Sequence, residues 1–157
     1  HAENVMITDL LRNDLSRVCR DGSIDVPALC VLESFAMVHH LVSTVTGLLR
    51  PGIGPVDVLR AAFPGGSITG APKIRAMQII AGIEPHIRGP YCGTIGYIGF
   101  DGSMDMNIAI RTVAMNAGQA VFHAGGGIVA DSNPGQEYQE TLDKAQGLMS
   151  ALGGKVI

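Results

Sequence analysis

Three apolar stretches between Tyr91 and Ala124 are joined by connections too short to hold a crossover helix. Tyr91–Phe100 leads through Asp101-Gly102 into Met104–Met115, and Asn116-Ala117-Gly118 turns the chain into Gln119–Ala124. Connections of that length return a strand beside its predecessor, so this part of the chain is expected to form an antiparallel meander. Helical patterns lie on both sides of it. The expected fold class is therefore α+β, with antiparallel β-sheet layers flanked by helices, and not a doubly wound nucleotide-binding sheet.

The pattern before the meander supports this. Ala2–Arg20 reads as a helix with Val5, Met6, Leu10, Leu15 and Val18 near one face, ended by Asp21-Gly22. Ser23–Val26 is expected as a short strand stopped by Pro27, with Leu29–Glu33 and Met37–Leu49 as further strands. Arg50–Pro55 is a loop and Val56–Phe63 a short helix. The stretch FPGGSITGAPKIRAM, Phe63–Met77, is a loop running into a helix that Pro72 opens and Glu84-Pro85 stops. After the meander, Asn133 can cap a last helix, with Pro134 at its first position and Gln136 placed to close a capping box. That helix extends to about Leu152, where Gly153-Gly154 follows.

At 157 residues the chain can bury one core. A formal charge of −3 disfavours a nucleic-acid partner, which needs a basic field. Cys19, Cys30 and Cys92 are odd in number, widely spaced and free of any C-x-x-C pair. They read as small buried apolar side chains in a reducing, cytoplasmic setting, with neither zinc nor a disulfide framework. No apolar run approaches the ~20 residues of a membrane span, and no signal peptide is evident. The chain opens at His1 inside a helical pattern, so a piece of a longer protein is expected.

Several polar groups stand out. Along Met104–Met115, period two puts Arg111 among apolar residues on a strand expected to be central. Such an arginine requires a carboxylate, from Asp105 or another internal acid, or from a ligand. Glu137, Glu140 and Lys144 share one helix face, either as a hard-cation site beside a base or as a solvated face with an ordinary ion pair. His39 and His40 must point to opposite faces of a strand, which rules out a simple chelating pair. Neither glycine loop fits a P-loop. Gly66 is followed by Ser-Ile-Thr-Gly-Ala-Pro-Lys, Lys73 is followed by Ile, and Gly125-Gly126-Gly127 does not lead directly into a helix. A glycine run can still present amides to a carboxylate, or simply form a tight bend.

Taken together, AENVMITDLLRND, VHHLVSTVTG, FPGGSITGAPKIRAM, AGGGIVADS and EYQET resemble, in order and spacing, the chorismate-utilising enzymes. The resemblance runs from Ala2 to about Leu152. Asn4 after Glu3, the PGGSITGAPK loop and the triple glycine bring it nearest the para-aminobenzoate (aminodeoxychorismate) synthase branch, with anthranilate synthase as sister branch. It implies the two-sheet sandwich fold of that family, of which residues 1–157 would be a C-terminal segment. It implies a Mg²⁺-dependent enzyme that replaces the C4 hydroxyl of chorismate with an amino group from ammonia, giving 4-amino-4-deoxychorismate for folate synthesis. The ammonia would come from a glutamine amidotransferase partner.

By that resemblance Glu3 and Glu140 match Mg²⁺ ligands, with Glu137 reaching the metal directly or through water. Lys144 and the backbone of Gly125, Gly126 and Gly127 match the groups around the ring carboxylate. Tyr91 and Arg111 match those on the enolpyruvyl carboxylate. His40, not His39, matches the family's active-site histidine, and Ser67 a hydroxyl near the enolpyruvyl group. Lys73 is expected to be structural. A Lys-bearing motif of this branch, and an acidic residue just upstream of Glu3, fall before His1. The chain alone is therefore expected to be a poor enzyme, and to expose a sheet edge and self-associate. Competing expectations are an anthranilate synthase component I, a non-catalytic fragment retaining half a chorismate site and, disfavoured by the loop spacings, a nucleotide-binding protein.

Overall fold

The computed structural model describes residues 1–34 and 39–153. Its elements run α1 (Ala2–Ser16), β1 (Asp25–Ser34), β2 (His39–Thr46), α2 (Pro55–Ala62), α3 (Gly66–Thr69), α4 (Lys73–Ile83), β3 (Thr94–Ile98), β4 (Met104–Ile108), β5 (Ala114–Asn116), β6 (Gln119–Val121) and α5 (Pro134–Ala151). Among the described residues the strands form three two-stranded sheets, β1-β2, β3-β4 and β5-β6. The α+β expectation with antiparallel pairing holds. The chain divides into two compact units. The first comprises His1–Ile80 with Ile98–Met104, the second Ala81–Tyr97 with Asp105–Ile157.

In the first unit, the two strands expected on either side of Pro27 are one strand. β1 passes through Pro27 because its ladder to β2 is irregular there, with register shifts on both sides of Ala28. Proline needs no ladder bond at such a break. Cys30 takes a positive φ of 52° within this stretch, and its amide bonds to the Ser43 hydroxyl. The expected strand at Met37–Leu49 is β2; Met37 and Val38 lie outside the described residues.

Helix α1 departs from its expected apolar stripe. Val5 and Met6 are exposed, whereas Thr8 and Asp14 are buried. Thr8 satisfies its hydroxyl on the Asn4 carbonyl. Asn4 ties the helix to the hairpin: its amide donates to Leu41 O, and its Oδ1 accepts from Ser43 Oγ and Cys30 Sγ. Asp14 accepts Arg17 Nη2 at 2.6 Å and is also paired with Lys73. Lys73 donates further to Pro64 O at 2.8 Å and to Ala62 O. The apolar cluster beneath is small, with Val18, Cys19 and Ala61 at its centre and Leu15, Ile24, Ile53 and Val58 around it.

The loop that opens at Phe63 thus wraps a short helix, α3, and is anchored by Lys73 to α1. Gly66 packs closely on α1, since a β-carbon there would lie 2.8 Å from Leu10 Cδ1 and 3.0 Å from its Cβ. The expected bury-all reading of the cysteines needs one change: Cys19 and Cys92 are buried, but Cys30 is half-buried, and all three are free.

In the second unit, the Ala117-Gly118 turn has φ of 48° and 77°, the left-handed pair that joins two-residue hairpins. The Asp101-Gly102 connection, which belongs to the first unit, is wider than its dipeptide suggests, spanning residues 99–103. Asp101 Oδ1 holds it by accepting from Ser103 N and Oγ. The long second meander strand ends at Ile108. Beyond it Ala109 is fully buried and bonded on both sides, to Cys92 N and Gly93 O. Arg111 then has a φ of 50°. At the far end Asn133 caps α5 as expected, its Oδ1 accepting from Gly135 N and Gln136 N. No helix among the described residues is long and apolar enough to cross a membrane.

Candidate functional site

Helix α5 begins shortly after the triple glycine, and this order brings its N-terminal half against that run. A β-carbon on Gly126 would lie 3.2 Å from Glu137 Oε2 and 3.9 Å from both Glu140 Oε1 and Lys144 Nζ. One on Gly125 would lie 3.1 Å from the Tyr91 hydroxyl. A side chain there would crowd the Tyr91 hydroxyl and the Glu137 carboxylate, and the bare glycines leave them room for a close approach. Four functional groups from two distant parts of the unit converge on one bare backbone segment.

The carboxylates are set differently. Glu137 is half-buried and accepts from Ser132 Oγ at 2.6 Å through Oε1, leaving Oε2 toward Gly126. Glu140 is exposed and paired with Lys144 at 2.5 Å. Both are hard oxygen donors of the kind a small divalent cation takes, and Lys144 supplies the adjacent positive charge a ligand carboxylate needs. Ser132 was not anticipated. Its place directly before the Asn133 cap, with Glu137 on the first turn, is the signal that could have shown it.

Tyr91 sits in a turn, half-buried, with its ring stacked on His123 at 5.4 Å between centroids and 16° between planes. The Arg88 guanidinium lies 5.8 Å over the same ring. Glu84 grips Arg88 by two bonds, 2.8 Å to Nε and 2.6 Å to Nη2. That grip holds the Glu84 carboxyl below its usual range, its own burial opposing the effect. Burial pushes the Tyr91 phenol up, so it stays protonated and able to donate. Burial likewise raises the Cys92 thiol. His123 was missed. It stands two residues before Gly125, the spacing that in extended backbone puts side chains on one side.

Arg111 corrects an expectation. It is exposed, lies outside any strand, and makes no side-chain hydrogen bond or ion pair with the described residues, Asp105 included. The physical reason is the end of the ladder at Ala109: no central strand exists there to bury it. Its fork is open to solvent.

The first unit holds the other predicted residues. Glu3 is exposed on the first turn of α1, and Ser67 is exposed on α3. His40 is exposed on β2 opposite Glu33. His39 is exposed too, with Nδ1 2.9 Å from Ser34 Oγ. Lys73 is structural, as expected. Among the described residues no three His, Cys, Asp or Glu side chains gather as a ready-made metal cluster. A depression of about 470 Å³ in this unit, lined by Asp9, Arg12, Asn13, Ser16, Arg20 and Asp21, contains none of the predicted site residues.

An α+β protein whose second unit turns a phenol, a lysine and two carboxylates onto a glycine run is equipped to hold a small carboxylate ligand. The chain belongs to the chorismate binding enzyme family, whose profile matches residues 1–150. It is 58% identical over 151 residues to aminodeoxychorismate synthase component 1 of Salmonella typhimurium, covering 96% of this chain and 33% of that protein. Anthranilate synthase component 1 of Bacillus caldotenax is 51% identical, with 96% of this chain and 30% of that protein covered. The crystal structure of anthranilate synthase component I from Streptococcus pneumoniae superposes with a TM-score of 0.88 at 45% identity, over 94% of this chain and 34% of the other. The chain thus spans about a third of the length of these relatives.

Proposed function

We propose that this chain carries part of the chorismate site of an aminodeoxychorismate synthase, which replaces the C4 hydroxyl of chorismate with an amino group from ammonia. The observation that carries this is the convergence of Tyr91, Glu137, Glu140 and Lys144 on Gly125 and Gly126. The order of identities supports the branch: 56–58% to aminodeoxychorismate synthases of three bacteria, against 50–52% to anthranilate synthases.

In this reading the amides of Gly125–Gly127 and the Lys144 ammonium bind the ring carboxylate. The Tyr91 phenol, kept protonated by burial, donates to the enolpyruvyl carboxylate, and the open Arg111 fork clamps it. Glu137 and Glu140 would hold Mg²⁺, with Glu3 as a further ligand by family resemblance. The donor set fits in kind, since Glu137 and Glu140 offer hard carboxylate oxygens, while the Lys144 ammonium beside them is suited to a ligand carboxylate. Bound Mg²⁺ would screen the ring carboxylate from these acids and assist departure of the leaving group. His40 and Ser67 keep the roles the resemblance gives them, near the reacting ring and the enolpyruvyl group. A glutamine amidotransferase supplies the ammonia, in the cytoplasm. The exposed Leu29, Val31, Leu32 and Leu41 of the two-stranded β1-β2 sheet support self-association of the isolated chain.

The test is product analysis of the protein expressed from its intact gene, given chorismate, ammonia and Mg²⁺. We expect 4-amino-4-deoxychorismate. Anthranilate as product would transfer the reading to the sister branch, and absence of chorismate and Mg²⁺ binding by calorimetry would reduce the chain to a non-catalytic fragment. The isolated chain is expected to turn over poorly; robust activity would defeat that part.

A further inference from the structure

The Tyr91 backbone does not by itself aim the phenol. Tyr91 lies in a turn between Arg88 and Gly93, outside β3, followed by Cys92 in the left-handed region at φ 65°. Yet its hydroxyl sits 3.1 Å from where a Gly125 β-carbon would be. What fixes the ring is its surroundings. His123 stacks on it nearly parallel, and Arg88, itself held by two bonds to Glu84, lies over it. His123 is also separated from Gly125 only by Ala124, so the residue that orients the phenol is carried on the same short segment as the glycine amides.

We propose that His123 is a positioning residue, whose ring locks Tyr91 and the Gly125–Gly127 backbone into one surface so that phenol and amides meet a bound dicarboxylate in register. This rests on the functional reading above for the identity of the ligand, but not for the coupling between ring and loop. His123 needs no contact with the ligand. The stack needs a flat aromatic surface, and no proton on the imidazole enters into it.

Two measurements on the full chain test this. Amide hydrogen exchange, without ligand, is expected to accelerate several-fold at Gly125–Gly127 in His123→Ala and His123→Gln, and to stay within twofold of the unaltered chain in His123→Phe. Gln keeps much of the size but not the aromatic face, so it serves if the alanine variant fails to melt cooperatively. Chorismate titration with Mg²⁺ is then expected to show affinity reduced about fivefold to tenfold in His123→Ala and unchanged in His123→Phe. His123→Ala combined with Tyr91→Phe should lose no more than the larger single loss. Equal exchange in all variants, or additive losses in the double variant, would overturn the proposal. If the unaltered chain does not bind chorismate, the ligand reading falls, and the exchange measurement still decides whether His123 positions the loop.

Discussion

Lys73 and Lys144 each stand beside a glycine-rich segment, and each pairs with a carboxylate. Their surroundings are opposite. The Lys73 side chain is 16% exposed and Asp14 5%, with Arg17 and backbone carbonyls from Ala61, Ala62 and Pro64 completing the set. Lys144 is 33% exposed and Glu140 53%, joined by one bond across a helical turn. A network gathered on a buried carboxylate, with its lysine already bonded to carbonyls, can hold a loop but is poorly placed to accept a ligand. A pair left half in water, against a bare backbone, contributes little to stability and can exchange its partner for a substrate group.

The largest effect should come from opening the buried network. Asp14→Ala strands Lys73 among carbonyls and is expected to destabilise the first unit by about 3–5 kcal/mol, read by chemical denaturation. A loss below about 1 kcal/mol would erase the contrast between the two lysines. Next comes Gly66→Val, whose side chain must enter the space of Leu10; about 1–3 kcal/mol is expected, in thermal melts. Asn133→Ala removes the cap that starts α5 and should cost about 1 kcal/mol.

Lys144→Ala completes the comparison from the other side. Stability should change by less than about 0.5 kcal/mol, because the pair is an exposed one spaced four residues apart, while chorismate affinity on the proposed reading should fall at least tenfold. Stability lost with affinity kept would reverse the assignment of roles. The smallest effect is a pH slope. The Glu84 carboxyl is depressed by Arg88, so the folded chain binds fewer protons there than the unfolded one. The stability it adds is present above the ordinary carboxyl range and is lost as pH falls through the lowered folded value. Glu84→Gln should flatten that part of the acid limb in melts across pH 3 to 6, and an unchanged slope would remove Glu84 from the account.

The sequence carried the order of elements well where local chemistry decides them. Asn133 and Pro134 announced α5, and Asn116-Ala117-Gly118 announced the β5-β6 turn, because caps and turns are determined by residues next to one another. Pro27 misled, since whether a proline interrupts a strand depends on whether the partner strand needs its ladder bond. Arg111 misled for a related reason. Period two extrapolates a strand indefinitely, whereas burial of Ala109 between Cys92 and Gly93 ended it.

For the site, spacing put Glu137, Glu140 and Lys144 on one helix face but on its own favoured a solvated face with an ordinary ion pair. Shared motifs with the chorismate-utilising enzymes pointed past that ambiguity. His123, Ser132 and Glu84 had no such motif, and their partners are fixed by contacts between segments far apart in the chain.

The amino-acid sequence by itself determined that this chain is α+β, where its caps and hairpins fall, that neither glycine loop is a P-loop, and which family it joins. Only the tertiary structure decided which charges are spent on the fold and which are left for chemistry. That choice depends on burial, and burial is a property of distant segments meeting: Lys73 reaches Asp14 across the loop, while Lys144 meets Gly126 at the edge of water.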